Sequence, residues 1–154
     1  MSKSTFAYVT FIQTTPERVW SALTTPEFMR QYWFDMHCES DWKAGSNWRL
    51  VFPDGRIADR GEIVEADPPR RLVIKWHNEW KPELKAEGYS LCIFTLEVVP
   101  DNAKSVVKLS IVHSMERDGS KLIEAVSGGW PRILSNLKSL LETGEIIMPA
   151  AGHT

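Results

Sequence analysis

The sequence predicts an α+β fold, with a meandering antiparallel sheet of about six strands and one long C-terminal helix. Three observations carry the prediction. Apolar residues alternate with polar ones over most of the stretch 46–115, the period of two that a half-buried strand requires. The helical period dominates only at the end, over 120–142. Between the first alternating segment and the sheet lie two Thr-Pro-Glu helix starts, Thr15-Pro16-Glu17 and Thr25-Pro26-Glu27.

Taken in order, Phe6 to Gln13 reads as the first strand, with Tyr8, Val9, Phe11 and Ile12. In each Thr-Pro-Glu start a Thr can accept a backbone N–H, and Pro stands in the first turn, where its missing donor costs nothing. Val19, Trp20 and Leu23 follow the first start, and Phe28 and Met29 the second, so two short helices precede Tyr32-Trp33-Phe34. Strands are then expected at Ser46–Phe52, Ile57–Ala66, Leu72–His77, Leu91–Val99 and Ser105–Met115. Turns at Pro53-Asp54-Gly55, Asp67-Pro68-Pro69 and Pro100-Asp101-Asn102 separate some of them. From Ser120 to Glu142 the residues Ile123, Val126, Trp130, Ile133 or Leu134, Leu137 and Leu141 form one apolar stripe. Gly128-Gly129 and Pro131 predict a kink in it near Gly128–Trp130, because Pro has no N–H for the carbonyl four residues back. The helix should end at Thr143-Gly144, with residues after Met148 frayed.

The 154 residues suit a single domain over 1–154 with a structured core of about 6–144. A hydrophobic share of 43% argues against disorder. The formal net charge is −2. The basic residues Arg70, Arg71, Lys75, Lys81 and Lys85 are interleaved with Glu79, Glu83 and Glu87, so no nucleic-acid partner is expected. No secretory h-region or membrane-length apolar run occurs, so membrane insertion is not expected either. Cys38 and Cys92 are too few for a disulfide framework, and a cytoplasmic setting is expected.

Three segments carry a family resemblance. They are Thr15-Pro16-Glu17-Arg18-Val19-Trp20-Ser21-Ala22-Leu23, Asp67-Pro68-Pro69-Arg70-Arg71-Leu72-Val73, and Gly129-Trp130-Pro131-Arg132-Ile133-Leu134 continuing to Leu141-Glu142-Thr143-Gly144. Together with the element order they resemble the SRPBCC (START-like, helix-grip) superfamily. The branch they resemble contains the heat-shock-protein-90 ATPase activator C-terminal domain. The resemblance spans Phe6 to Gly144. It implies that the sheet curves around the last helix and leaves an internal cavity between them.

Applied to this chain, the resemblance makes Trp33, Trp48, Phe52, Trp76, Phe94, Ile111, His113, Met115, Val126 and Trp130 the ligand-binding candidates, with Leu50, Ile63, Ile74 and Cys92 beside them. Such a wall suits a small hydrophobic or aromatic ligand. His113 shares the parity of Leu109 and Ile111 and so points inward, where it needs a partner: a ligand, a neighbouring side chain or a water. His77 shares the parity of Lys75 and is expected to be exposed.

No metal site is expected. His37-Cys38-Glu39 places potential ligands on alternating sides of an extended segment, and no second pair follows at ligand spacing. No catalytic residue or cofactor is singled out. Cys92 reads as a small core hydrophobe, and Asp35, Asp59 and Glu62 are carboxylates near cavity mouths that no spacing brings together. The expected function is therefore small-molecule binding. The alternatives are a cyclase- or hydrolase-type enzyme in the same cavity, or a co-chaperone-like interaction module with a chaperone partner. Tyr89, Leu91 and Ile93 carry outward parity and are available to a homodimer or another partner.

Overall fold

The computed structural model describes residues 3–150. One seven-stranded antiparallel sheet has the order β1-β7-β6-β5-β4-β3-β2. Its strands are β1 (Ser4–Ile12), β2 (His37–Ser40), β3 (Asn47–Val51), β4 (Ile57–Asp67), β5 (Arg71–Asn78), β6 (Tyr89–Val98) and β7 (Val107–Met115). The helices are α1 (Pro16–Thr24), α2 (Pro26–Tyr32), α3 (Pro82–Lys85) and α4 (Lys121–Thr143). The curved sheet grips α4, and α1 and α2 close one end, so the α+β helix-grip prediction holds.

Two elements go beyond the predicted set. β2 is a four-residue strand whose His37-Cys38-Glu39-Ser40 shows no apolar alternation, and it exists because it pairs with β3. α3 is a single turn in the β5–β6 connection. Both are held by tertiary contact rather than by local preference.

Thr15 caps α1 as expected, whereas Thr25 at the start of α2 makes no side-chain cap bond. Thr15 Oγ1 accepts the Arg18 N–H at 3.3 Å, with Pro16 in the first turn. α4 starts at Ser120, whose Oγ accepts the Ile123 N–H at 3.1 Å. Glu87, from the loop before β6, accepts the N–H groups of Lys121 and Leu122 at 2.8 and 3.2 Å. A carboxylate there satisfies orphan donors and meets the positive end of the helix dipole. Gly144 ends the helix in the left-handed conformation, φ 85°, donating to the Leu140 carbonyl.

α4 stays helical through Gly128, Gly129 and Pro131, so the stretch expected to kink lies within one continuous element. Pro131 only deprives the Ser127 carbonyl of its helical donor. From within α4, buried Asn136 accepts the N–H groups of Ile147 and Met148 beyond the helix end at 3.1 and 2.8 Å and donates to the Met148 carbonyl at 2.7 Å. The fraying expected after Met148 falls mostly on 151–154, outside the described residues.

The core lies between the concave face of the sheet and α4, with α1 and α2 at its end. Ile12, Ile63, Ile74, Cys92, Leu109 and Ile111 meet Leu134 and Leu137 there. β4 carries a bulge between Ile63 and Glu65, which turns Val64 outward. Among the described residues no helix is long and apolar enough to cross a membrane.

Candidate functional site

Strand register builds the first wall of a cavity. Leu50, Asp59 and Asn78 are cross-strand partners on β3, β4 and β5, so their side chains stand abreast on the concave face. One row along, Trp48 and Trp76 flank Gly61. Since Gly61 has no side chain, the two indoles approach to 4.4 Å between ring centroids. Trp76 also meets Trp130 edge-on at 5.7 Å and stacks near Trp33 at 6.5 Å.

The second wall is one face of α4. Leu122, Ala125, Val126, Gly129, Trp130 and Ile133 recur at spacings of three and four. Small residues at 125 and 129 keep the helix from filling the gap, and a Cβ added at Gly129 would meet nothing within 4 Å. The third wall is the connection after β5, which folds back with Trp80, Lys81 and Leu84. This pocket measures about 190 Å³ and opens to solvent beside Trp80 and Ala125. Trp80, 48% exposed, stands at its mouth with Phe52 packed edge-on against it at 5.3 Å.

Asp59 is the charged group of the sheet wall and is only 5% exposed. Asn78 Nδ2 donates to its Oδ1 at 3.1 Å, and the Trp76 indole beside it favours the charged form. Asn78 is oriented in turn by the Lys81 backbone N–H, which donates to Asn78 Oδ1 at 2.9 Å. Burial pushes the Asp59 carboxyl up to about 6, against the lowering effect of Trp76 and Asn78. It can therefore hold a charge at neutral pH and exchange a proton just below it.

The sequence-predicted residues divide. Trp33, Trp76, Val126 and Trp130 line the cavity, as does Leu50. Trp48 is buried behind Trp76, its indole N–H without a hydrogen-bond acceptor among the described residues. Phe52 sits at the rim. Phe94, Ile111, Ile63, Ile74 and Cys92 belong to the packed core, where Phe94 meets Trp130 edge-on at 5.6 Å. Met115 packs with Leu84, Leu122 and Ile123 in a smaller cluster.

His113 takes the side-chain option of the alternatives open to it. It is fully buried, accepts the Trp130 indole N–H at Nδ1 (3.1 Å), and bonds Ser90 Oγ through Nε2 at 2.8 Å. Desolvation lowers its pKa to about 3, so it is a neutral strut that fixes Trp130. His77 corrects its expectation. It is half-buried, because Glu79 and Tyr89 pack on it and Glu79 pairs with Nδ1.

Sequence reasoning left out Asn78, Trp80, Lys81, Leu84, Leu122, Ala125, Gly129 and Ile133, and knew Asp59 only as a carboxylate near a mouth. The helical members were recoverable by carrying the three-four spacing one position round from the apolar stripe. The members after β5 depend on a loop folding back, for which the chain has no local signal.

A second depression, about 750 Å³ and open to solvent, lies by β2–β4 and is lined by Glu39, Asp41, Asn47, Arg49 and Arg60 among others. Arg49 pairs with Glu39 there and Arg60 with Glu79, so it offers little to an apolar ligand.

A curved sheet gripping a C-terminal helix over a tryptophan-lined cavity defines a helix-grip protein. The chain belongs to the family of Activator of Hsp90 ATPase homolog 1-like proteins, whose match covers residues 13–142. Solved structures share the fold. Protein MLL2253 of Mesorhizobium loti is 21% identical, with a TM-score of 0.74 over 90% of this chain and 96% of that one. An HSP90 activator of Plasmodium falciparum is 22% identical, at 0.70 over 89% and 95%. The Aha1 dimer of Colwellia psychrerythraea is 18% identical, at 0.70 over 92% and 98%. No curated protein matches the sequence.

Proposed function

We propose that this chain binds a small hydrophobic or aromatic ligand in the cavity between sheet and α4. The observation that carries the reading is the cavity wall itself: Trp33, Trp76, Trp80 and Trp130 around a gap that α4 leaves open at Ala125 and Gly129. Closing such a wall on a ligand removes apolar surface from water at roughly 25 cal/mol per Å², less the cost of ordering it. The volume is below the roughly 300 Å³ at which drug-sized sites begin, so the ligand is small. Both cysteines are buried free thiols, in keeping with a cytoplasmic setting.

Native mass spectrometry of freshly purified protein, set against its denatured mass, tests the reading. Wild type should carry an extra mass that is lost on denaturation. Gly129→Leu, which fills the gap from the helix side, should fold and carry none. Identical native and denatured masses for the wild type would count against a retained ligand.

A second reading, a protein-interaction module, draws on the outer face of the sheet. Ala7, Val112 and Ile93 lie in one cross-strand row over β1, β7 and β6, with exposed Val9 and Phe11 nearby. Two solved relatives are named as an HSP90 activator and as a dimer. Sedimentation of wild type against Val9→Lys/Phe11→Lys tests it: loss of a wild-type dimer supports this face, and an unchanged state contradicts its use in self-association.

A further inference from the structure

Asp59 sets the cavity apart from a purely apolar hollow. The groups at its carboxylate, the Asn78 amide that donates to it and the Trp76 indole beside it, are both neutral. Among the described residues no Lys or Arg forms an ion pair with it. Lys81, the basic residue of the cavity wall, holds its ammonium 4.8 Å from the Trp80 ring centroid instead. A carboxylate accepts about four hydrogen bonds, so one amide donor and a neutral indole nearby leave acceptor sites as well as charge uncompensated. A buried charge of this kind is costly unless an opposite charge reaches it. Trp33, Trp76 and Trp130 line the same gap, and a cation held near an indole face is attracted by its quadrupole.

We propose that the ligand of this cavity is a small aromatic amine, bound as its ammonium ion with an N–H donated to Asp59 and its ring among Trp33, Trp76 and Trp130. The assignment rests on the cavity-binding reading above and names the ligand's chemistry within it. Asn78 and the Lys81 backbone N–H act as positioning groups that aim the carboxylate. No covalent step is involved.

The test is a titration of the full chain at pH 7.5 with benzylamine, benzyl alcohol and toluene, followed by tryptophan fluorescence and by the indole N–H resonances. A charge-assisted hydrogen bond replaces a neutral one between the first two probes. Benzylamine should bind at least tenfold tighter than benzyl alcohol. Asp59→Asn should narrow that ratio to below threefold and leave toluene affinity within threefold of wild type. Toluene binding with no advantage to the amine overturns this inference and leaves the apolar cavity standing. No binding by any of the three overturns both. A preference that survives Asp59→Asn overturns the role given to the carboxylate. The wild-type ratio decides the ligand class even if the variant does not fold.

Discussion

Gly61 sits where β4 is paired on both sides, opposite Trp48 on β3 and Trp76 on β5. A Cβ there would lie 1.7 Å from the Lys75 carbonyl oxygen, a backbone atom that cannot swing aside. Gly61→Ala should therefore cost about 3 kcal/mol or more, lowering Tm by roughly 6–12 °C in a thermal melt. The buried pair His113 and Asp59 makes a second prediction at this scale, with opposed signs. His113 is depressed to about 3 in the folded state, so below its ordinary pKa the unfolded chain takes up a proton that the folded chain refuses, and stability falls as pH falls. Asp59 is raised to about 6, so between there and its ordinary value the folded chain takes up the proton first, and stability rises as pH falls. The two contributions offset each other over roughly pH 6 to 4. His113→Gln removes only the first. Its stability relative to wild type should improve by about 1.4 kcal/mol per pH unit between 6.5 and 4, read from melts at several pH values. A constant difference would contradict the neutral, desolvated imidazole. The sequence reveals the inward parity of His113 but not its partners, because Ser90 and Trp130 reach it only through β6–β7 pairing and the docking of α4.

At the scale of elements, propensity and packing part company in α4. Gly128 and Gly129 occupy the middle of a helix, where each costs about 1 kcal/mol relative to Ala. A Cβ at Gly128 would meet nothing within 4 Å. Gly128→Ala should raise stability by about 0.5–1 kcal/mol, seen as a Tm gain of about 1–4 °C. A loss would mean that the helix needs its local freedom at that position. The same element shows why much of the fold was legible. Pro16, Pro26, Ser120 and Gly144 are capping residues whose chemistry is local, and the alternating strands β3 to β7 are read from period two. The residues that depend on distant contact were not legible. β2 has no alternation, α3 is a single turn, and the β4 bulge at Val64 breaks the parity that a strand reading assumes. The cavity shares this split: Trp33, Leu50, Trp76, Val126 and Trp130 follow from face and period, whereas Asn78 enters by its pairing with Asp59 and Trp80 and Lys81 by the return of the β5–β6 connection.

On the scale of the whole molecule, the sheet and α4 enclose a core that is solid toward Leu134 and Leu137 and hollow toward Gly129. The division arises from side-chain size along one helix face, large residues at one end and Ala125 and Gly129 near the other. Family membership and fold suit ligand binding, and the tryptophan wall supplies a direct report of it. Trp33, Trp76, Trp80 and Trp130 line the cavity, whereas Trp20 and Trp42 do not. The decisive measurement is an NMR titration of the wild-type chain with toluene, following all seven indole N–H signals. Saturable shifts are expected at Trp33, Trp76, Trp80 and Trp130, with still signals at Trp20 and Trp42 and no response in Gly129→Leu. Shifts spread over all seven, or none up to the solubility limit of toluene, would contradict a ligand site between sheet and helix.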